Sequence, residues 1–188
     1  MEEFEPISLS DKGRVDAYLN EFGGGSCQHS FAALYAFAEK YGTRICEFED
    51  CLLVRQPAKD EGGYISCLMP LGKGDRRRAL GFLKKRAHEE GKRLKRQAIT
   101  EEAKKYLEME QSGVFEIIPQ RDYAEYLYEA KKLVTLEGSE MKNVRQFYNR
   151  FQRNFKGRTE LIPIRVKELT DVLEFQEKWL FERRDRED

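Results

Sequence analysis

A nearly continuous apolar run from Tyr64 to Leu71 limits more than any other feature what this chain can fold into. Such a run is typical of a strand covered on both faces, because a half-exposed strand alternates apolar with polar side chains. The turn Gly72–Asp75 follows, and Asp75 is a suitable N-cap for a helix that apolar spacing predicts to about Glu90. The centre of the chain therefore predicts an α+β fold, a mixed sheet flanked by helices.

The remaining pattern supplies more strands and helices on both sides of this run. Before it we predict a strand at Phe4–Leu9, a helix from Ser10 to Phe22, a well-buried helix from Ser30 to Tyr41, and a hairpin of Thr43–Phe48 and Cys51–Arg55. After it we predict a strand at Arg93–Ile99, a helix from Thr100 to near Gly113, and strands at Phe115–Ile118 and Tyr123–Tyr128. Tyrosines on the last strand could stack bases or pack beneath helices.

Beyond Leu136 the pattern changes, and we predict a domain boundary between residues 136 and 137. Domain 1–136 holds the sheet, and 137–188 holds a basic helix at Met141–Phe155, a strand at Glu160–Ile164 and a final helix from Lys167. The basic helix carries Arg145 and Asn149 close to one face, which could contact a nucleic-acid backbone. Alternatively, its aromatic side chains clamp two domains together.

Charge is balanced overall but concentrated locally. The chain has 34 basic and 34 acidic residues, so its net charge is zero, which argues against a protein that binds nucleic acid or membranes over its whole surface. No apolar run reaches the roughly 20 residues that span a bilayer, and the N-terminus lacks signal-peptide features, so we expect a cytoplasmic protein. Residues 73–96 hold eleven Lys or Arg against three acids. They form either a solvated face or an anion-binding patch.

The Gly-Lys-Gly-Asp turn is the strongest candidate for a cofactor site. It joins a buried strand to a helix N-terminus, where unpaired N–H groups and the helix dipole favour an anion such as a phosphate. The predicted cofactor-binding residues are Gly72, Lys73, Gly74, Arg77 and Arg78. The alternative is a plain strand-to-helix turn, since the Asp75 carboxylate competes for the same N–H groups.

Metal and nucleophile chemistry find little support. The four cysteines lack the paired spacing of a zinc site, and Cys27 with His29 forms a lone C-x-H, so we predict no metal and buried, inert thiols. Cys46 and Cys51 could face each other across the hairpin. His29 and His88 read as ordinary structural or surface side chains, and no catalytic residue can be assigned.

The final helix carries an apolar stripe that needs a partner. Its residues recur at helical spacing: Val172, Phe175, Trp179 and Leu180. Large exposed apolar patches are uncommon on monomers, so the helix folds back, forms a homodimer, or marks an incomplete domain.

Seven short segments occur in an order and spacing that match a known family. They are F-E-P-I-S-L-S-D-K at 4–12, S-F-A-A-L-Y at 30–35, M-P-L-G-K-G-D at 69–75, I-T-E-E at 99–102, R-D-Y-A-E-Y-L-Y at 121–128, L-E-G at 136–138 and E-F-Q-E-K-W at 174–179. The chain thereby resembles a bacterial family of uncharacterised proteins named for the C-terminal domain of phosphatidylglycerol lysyltransferase.

That resemblance implies a tandem of two GNAT-type acyltransferase-like domains. It also implies transfer of an amino acid from aminoacyl-tRNA to a lipid head group, with the active centre largely in the second domain. This chain would then hold a first domain and an incomplete second one, and would be inactive by itself. Acyl-CoA or aminoacyl-tRNA is the implied donor, and tRNA the implied partner of a full-length form. The alternative is a non-catalytic interaction module that docks through its last helix.

Two departures from the family pattern bear on these implications. Ser139, Glu140, Asn143 and Val144 stand where basic residues are usual in the family, and Gln146-Phe147 replaces an Asn-His pair. The acyl-CoA loop pattern of classical acetyltransferases is only partly met by 78–83. The resemblance therefore favours a first domain that does not bind an acyl carrier.

Overall fold

The computed structural model describes residues 3–59, 62–110 and 113–184. Contacts divide the chain into two compact units, unit 1 at Met1–Tyr126 and unit 2 at Leu127–Asp188. The predicted domains, 1–136 and 137–188, stay a prediction, because compactness alone does not identify a domain.

Unit 1 contains all the described strands. Its strands are β1 Glu5–Pro6, β2 Arg44–Phe48, β3 Cys51–Arg55, β4 Tyr64–Cys67, β5 Leu71–Gly72 and β6 Arg93–Arg96. Its helices are α1 Lys12–Phe22, α2 Phe31–Ala36, α3 Ala38–Tyr41, α4 Arg76–Glu89 and α5 Glu101–Glu110. Short 3-10 turns lie at Leu9–Asp11, Cys27–His29, Pro57–Lys59 and Arg121–Tyr123.

The strands form one mixed sheet in the order β1-β2-β3-β4-β6, and β5 also pairs with β3. Every pairing is antiparallel except that of β4 with β6, which is parallel and aligns Cys67 with Arg96. A parallel pair needs a crossover, and α4 supplies it. The predicted α+β class with a mixed sheet flanked by helices is confirmed, and the arrangement is consistent with a GNAT-type acyltransferase fold.

The hairpin between β2 and β3 is the predicted one. Glu49 and Asp50 turn the chain with φ values of 45° and 59°, a conformation suited to a two-residue hairpin loop. The register pairs Phe48 with Cys51 and Cys46 with Leu53. The expectation that Cys46 and Cys51 face each other is therefore wrong, because the tight turn opposes each of them to a different residue.

The apolar run Tyr64–Leu71 is buried as predicted, but it forms two strands. Pro70 cannot donate a ladder hydrogen bond, so pairing is interrupted after Cys67 and resumes at Leu71. The first part, β4, pairs with β6, and the second part, β5, pairs with the start of β3. This interruption brings the Gly72–Asp75 turn against the β2–β3 hairpin.

Both faces of the sheet carry a core. One cluster lies under α1 and α2 and includes Val15, Leu34 and Leu52, and the other lies under α4 and α5 and includes Leu53 and Leu83. Adjacent residues of β3 point into opposite clusters because side chains alternate along a strand. The buried residues of helix α4 are Ala79, Leu80, Leu83 and Ala87, which recur at the predicted helical spacing.

Two N-terminal predictions need correction. The strand predicted at Phe4–Leu9 is reduced to Glu5–Pro6, because Pro6 lacks an N–H donor and the following residues form a 3-10 turn. The helix predicted from Ser30 to Tyr41 breaks at Phe37, whose φ is −101° and ψ 12°. Its predicted burial on nearly all sides is also wrong, since Tyr35 and Phe37 are exposed while Phe31 and Leu34 are buried.

Three predicted strands are absent from the described structure. Residues 115–118 and 124–128 form no ladder, Arg121–Tyr123 is a 3-10 turn, and 160–164 has no regular secondary structure. Tyr126, Leu127 and Leu161 are at least 88% exposed. A strand-like sequence forms a strand only when its backbone pairs with a neighbouring strand, and in the described residues none of these segments does so.

Unit 2 is helical in its described part. Its helices are α6 Ala130–Thr135, α7 Lys142–Phe155 and α8 Leu169–Arg184, with a 3-10 turn at Val166–Glu168 before α8. The predicted basic helix and final helix are confirmed as α7 and α8. Within the described ranges, no helix has the length and apolar character needed to cross a bilayer.

Candidate functional site

The two glycines of the Gly72–Asp75 turn lie against the β2–β3 hairpin. A Cβ atom on Gly72 would lie closer than 3.0 Å to the carbonyl oxygen of Asp50, and one on Gly74 would lie as close to that of Glu49. The amide of Gly74 also donates to the Asp50 carbonyl at 3.4 Å. Their close backbone approach is thus to another part of the protein.

The N-terminus of α4 is capped by its own sequence. The Asp75 carboxylate accepts hydrogen bonds from the amides of Arg77 at 2.8 Å and Arg78 at 3.2 Å. These are donors that a bound phosphate would use, and the capping carboxylate places a negative charge where that phosphate would lie. The competition predicted for Asp75 is therefore present in the structure.

The cations beside this turn have acidic neighbours. Lys73 Nζ lies 3.1 Å from Glu21 Oε1, and Arg78 Nη2 lies 2.6 Å from Glu49 Oε1. Both cationic side chains are more than half exposed, so the pairs are weak and screened by salt. The structure therefore brings the predicted cofactor residues together. It also places two carboxylates, those of Asp75 and Glu49, beside them.

Substituting Asp75 tests the capping role directly. We expect Asp75→Ala to lower the free energy of unfolding by about 1 kcal/mol, because two amides lose their acceptor. Asp75→Asn should retain most of the stability, since its side-chain oxygen accepts the same bonds. Urea unfolding of both variants measures this, and equal stabilities would show that the carboxylate does not act as a cap.

A small cavity opens at the carboxyl ends of the parallel strands β4 and β6, where open sheets commonly bind ligands. Its volume is about 30 Å³, which is enough to hold ordered water. Its lining residues come from four segments: Phe22–Gly24 and His29, Met69–Leu71, Arg76, and Ala98, Thr100, Glu102 and Ala103.

His29 is the buried polar side chain of this cavity. Its Nδ1 lies 2.7 Å from the Gly23 carbonyl, and Nε2 is buried without a hydrogen-bond partner among the described residues. Bonding to a carbonyl assigns the proton to Nδ1, so Nε2 is an acceptor. The arrangement suits an ordered water better than proton transfer, because no acidic or basic side chain in the described part of the chain has a hydrogen bond to this ring.

Arg96, the last residue of the basic stretch 73–96, is half-buried on β6. Its guanidinium lies 3.7 Å from the centre of the Phe115 ring, and Nη1 lies 3.6 Å from the Met69 sulfur. Burial lowers the pKa of Arg96 to about 10. The strand period could have indicated this placement, since Arg93 and Lys95 point outward while Leu94 and Arg96 point inward.

Among the residues that the structure describes, cysteine and histidine side chains form no metal-binding cluster. Cys46, Cys51 and Cys67 are buried, Cys27 is exposed, and burial raises the pKa of the Cys51 thiol. Within the described ranges, no three His, Cys, Asp or Glu side chains are close enough together to hold an ion.

In unit 2, the two predicted binding residues of α7 have different surroundings. The guanidinium of Arg145 donates to the carbonyls of Leu136 and Gly138, the second at 3.3 Å. These carbonyls follow the end of α6, where Leu136 has a left-handed φ of 53°. Arg145 therefore fixes a turn, while Asn149 is exposed. Nucleic-acid binding by this pair stays a prediction.

The stripe predicted on α8 is exposed. Val172 is 37% exposed, Phe175 70%, Trp179 43% and Leu180 44%. Leu173 and Phe181 are also exposed. Leu173 lies next to Leu180 and widens the stripe, whereas Phe181 lies on the opposite side of the helix among charged residues.

Comparison with known proteins identifies the family. The family model described as phosphatidylglycerol lysyltransferase, C-terminal, matches residues 20–188. The chain belongs to this lysyltransferase C-terminal family. No curated protein matches significantly. A crystal structure of a conserved protein of unknown function from Bacteroides thetaiotaomicron is similar, with a TM-score of 0.87 and 24% identity. The match covers 100% of this chain and 62% of that one, so this chain spans less than two thirds of that protein.

The lysyltransferase-family segment Arg121–Tyr128 has a structural role in unit 1. Oε1 of Glu125 accepts hydrogen bonds from Ser26 Oγ and from the Cys27 amide, both at 2.8 Å. The contact raises the pKa of the Cys27 thiol and lowers that of the Glu125 carboxyl. The segment thus joins the 3-10 turn that precedes α2.

This contact predicts slow alkylation of Cys27. In Glu125→Gln, the pH profile of iodoacetamide alkylation should shift to lower pH, because the neutral amide no longer disfavours the thiolate. Cys27→Ser measures the background from the three buried thiols. Superimposable profiles for the wild type and Glu125→Gln would contradict the contact.

Proposed function

We propose that this chain is a non-catalytic, acyltransferase-like lobe of an aminoacyl-transfer protein. The family supports a relation to aminoacyl transfer, and unit 1 supports the absence of donor binding. The single observation that carries the proposal is the Gly72–Asp75 turn. Its two glycines contact the hairpin, and its Asp75 carboxylate accepts hydrogen bonds from the amides of Arg77 and Arg78 at the start of α4.

The chemistry of phosphate binding explains why this matters. A pyrophosphate bound at a helix N-terminus needs several free N–H donors and open space above the glycines. Here the hairpin carbonyls fill that space, and the Asp75 carboxylate repels an anion at short range.

Titration with acetyl-CoA tests the proposal. We expect the amide signals of Gly72 and Gly74 to remain unshifted at millimolar ligand. A saturable shift at these two amides would overturn the proposal and support the predicted cofactor site. Arg77→Glu should abolish any such shift if the site is real, while Lys105→Glu on α5 serves as a charge-matched control away from the turn.

A second candidate function is docking of another copy of this chain through α8. The exposure of Val172, Phe175, Trp179 and Leu180 favours it, because burying such a surface gains hydrophobic free energy. Sedimentation velocity should then show a dimer that Trp179→Glu converts to monomer. Met109→Glu is a control at an apolar residue that is 81% exposed on α5 and should leave the dimer intact. A wild-type monomer at high concentration would exclude this function.

A further inference from the structure

Strand β6 has one unpaired edge. It is the last strand in the order of the sheet and pairs only with β4 in the part of the chain that the structure describes. The amide of Arg93 donates to the Gly63 carbonyl, on the β4 side, at 2.8 Å. Because backbone groups of successive residues point to alternate sides of a strand, those of Leu94 and Arg96 face away from β4. We call their N–H and C=O groups the outer edge of β6.

The side chains along this edge are cationic. Residues 91–100 contain four cations and no Asp or Glu: Lys92, Arg93, Lys95 and Arg96. Arg93 and Lys95 are exposed on one face of the strand, and neither forms an ion pair with a described residue. Leu94 is half-buried on the other face, where it packs against the core under α4 and α5. The edge therefore has a cationic face and an apolar face.

These features together specify the chemistry of a partner. A peptide strand that adds to a sheet edge gains affinity from its backbone and specificity from alternate side chains. Side chains opposite Arg93 and Lys95 should be acidic, because opposite charges in cross-strand pairs stabilise a sheet. Side chains on the face of Leu94 should be apolar. We propose that the outer edge of β6 binds an extended peptide in which acidic and apolar residues alternate.

The same edge is unsuited to two other occupants. A second copy of β6 would place Lys and Arg beside Lys and Arg, and like charges across a strand pair are destabilising. A nucleic-acid backbone would pair with the cations, but its phosphates supply no N–H donor to the outward carbonyls of Leu94 and Arg96. Complementarity of both backbone and charge therefore favours a peptide.

Binding of synthetic heptapeptides to the full chain tests the proposal. The probe alternates valine with glutamate and is blocked at both ends, and the comparison peptide has lysine in place of glutamate. We expect the glutamate peptide to shift the amide signals of Leu94 and Arg96 saturably, with at least about tenfold tighter binding than the lysine peptide. Its affinity should fall as salt screens the charges.

Matched variants assign the binding to the side chains of β6. Lys95→Glu should weaken binding of the glutamate peptide by about tenfold and strengthen that of the lysine peptide, because the cross-strand charge is reversed. Arg44→Glu makes the same charge change at an exposed side chain on β2, near the opposite end of the sheet, and should leave both affinities unchanged. Circular dichroism and the urea midpoint of each variant show that it is folded.

Peptides methylated on nitrogen distinguish strand addition from attraction between charges. One glutamate peptide carries the methyl groups on its valine nitrogens and a second carries them on its glutamate nitrogens, so both keep their charges. Only amides that face β6 donate to the outer edge, so one of the two peptides should bind at least about tenfold more weakly than the other.

Three results would overturn the proposal. The first is equal binding of the glutamate and lysine peptides, or binding of neither at millimolar concentration. The second is equal binding of the two methylated peptides, which would show that charge alone holds the peptide. A saturable titration with single-stranded RNA would then assign the cations to nucleic acid. The third is binding of the glutamate peptide that Lys95→Glu does not weaken.

Discussion

Replacing Gly74 with alanine is expected to lower the free energy of unfolding by about 3 kcal/mol, near the upper end for overpacking a tight site. The new methyl group would overlap the carbonyl of Glu49, which belongs to the hairpin backbone and cannot rotate away. The hairpin or the start of α4 must then move, and the hydrogen bond from the Gly74 amide to Asp50 weakens with it. Urea unfolding followed by circular dichroism measures the loss.

Gly81→Ala is the matched control for this substitution. Gly81 lies inside α4, and a Cβ atom there would have no neighbour within 4 Å. Alanine should therefore raise the stability by up to about 1 kcal/mol through helix propensity. Wild-type stability in Gly74→Ala would contradict the contact between the turn and the hairpin.

Truncating either of two adjacent leucines on β3 should lower the free energy of unfolding by about as much as Gly74→Ala. Leu52 and Leu53 are each fully buried, and they belong to the clusters on opposite faces of the sheet. We expect Leu52→Ala and Leu53→Ala each to lose about 3 kcal/mol of unfolding free energy, within the range for cavities in a core. The measurement is again the midpoint and slope of urea unfolding.

Two similar losses would be specific to a sheet covered on both sides. A sheet with one face in solvent would show a large loss at one leucine and almost none at its neighbour, which would contradict this fold. Lys95→Ala on β6 is the control, because its exposed side chain should contribute less than about 0.5 kcal/mol.

Local rules were sufficient where one segment specifies its own structure. Helix α4 begins at the predicted cap Asp75 and is followed by Gly91 with a φ of 66°. The β2–β3 hairpin has the predicted two-residue turn at Glu49 and Asp50. In each case the residues that decide the conformation lie within a few positions of one another, so the sequence pattern carries the information.

Local rules failed where a strand depends on a distant partner. Residues 115–118 and 160–164 have strand-like patterns, but in the described structure no edge pairs with them. The apolar run around Pro70 likewise predicted burial correctly, but it predicted one strand where the structure has two, β4 and β5. Pairing depends on where the other strands lie, which apolar periodicity does not contain.

In the candidate site, too, local rules predicted some features and missed others. The capping role of Asp75 was predictable because its acceptor and donors lie within three residues. The approach of the hairpin to Gly72 and Gly74 was not, because it joins segments more than twenty positions apart. The inward placement of Arg96 was available from the alternation along β6, but the high local charge suggested an exposed patch instead.

Amide hydrogen exchange at the start of α4 tests the central claim most directly. The claim is that Asp75 occupies the amides of Arg77 and Arg78 that an acyl carrier would need. We predict that both amides are protected in the wild type, lose protection in Asp75→Ala, and do not change when acetyl-CoA is added. Amides that exchange freely in the wild type and become protected only with acetyl-CoA would contradict the account.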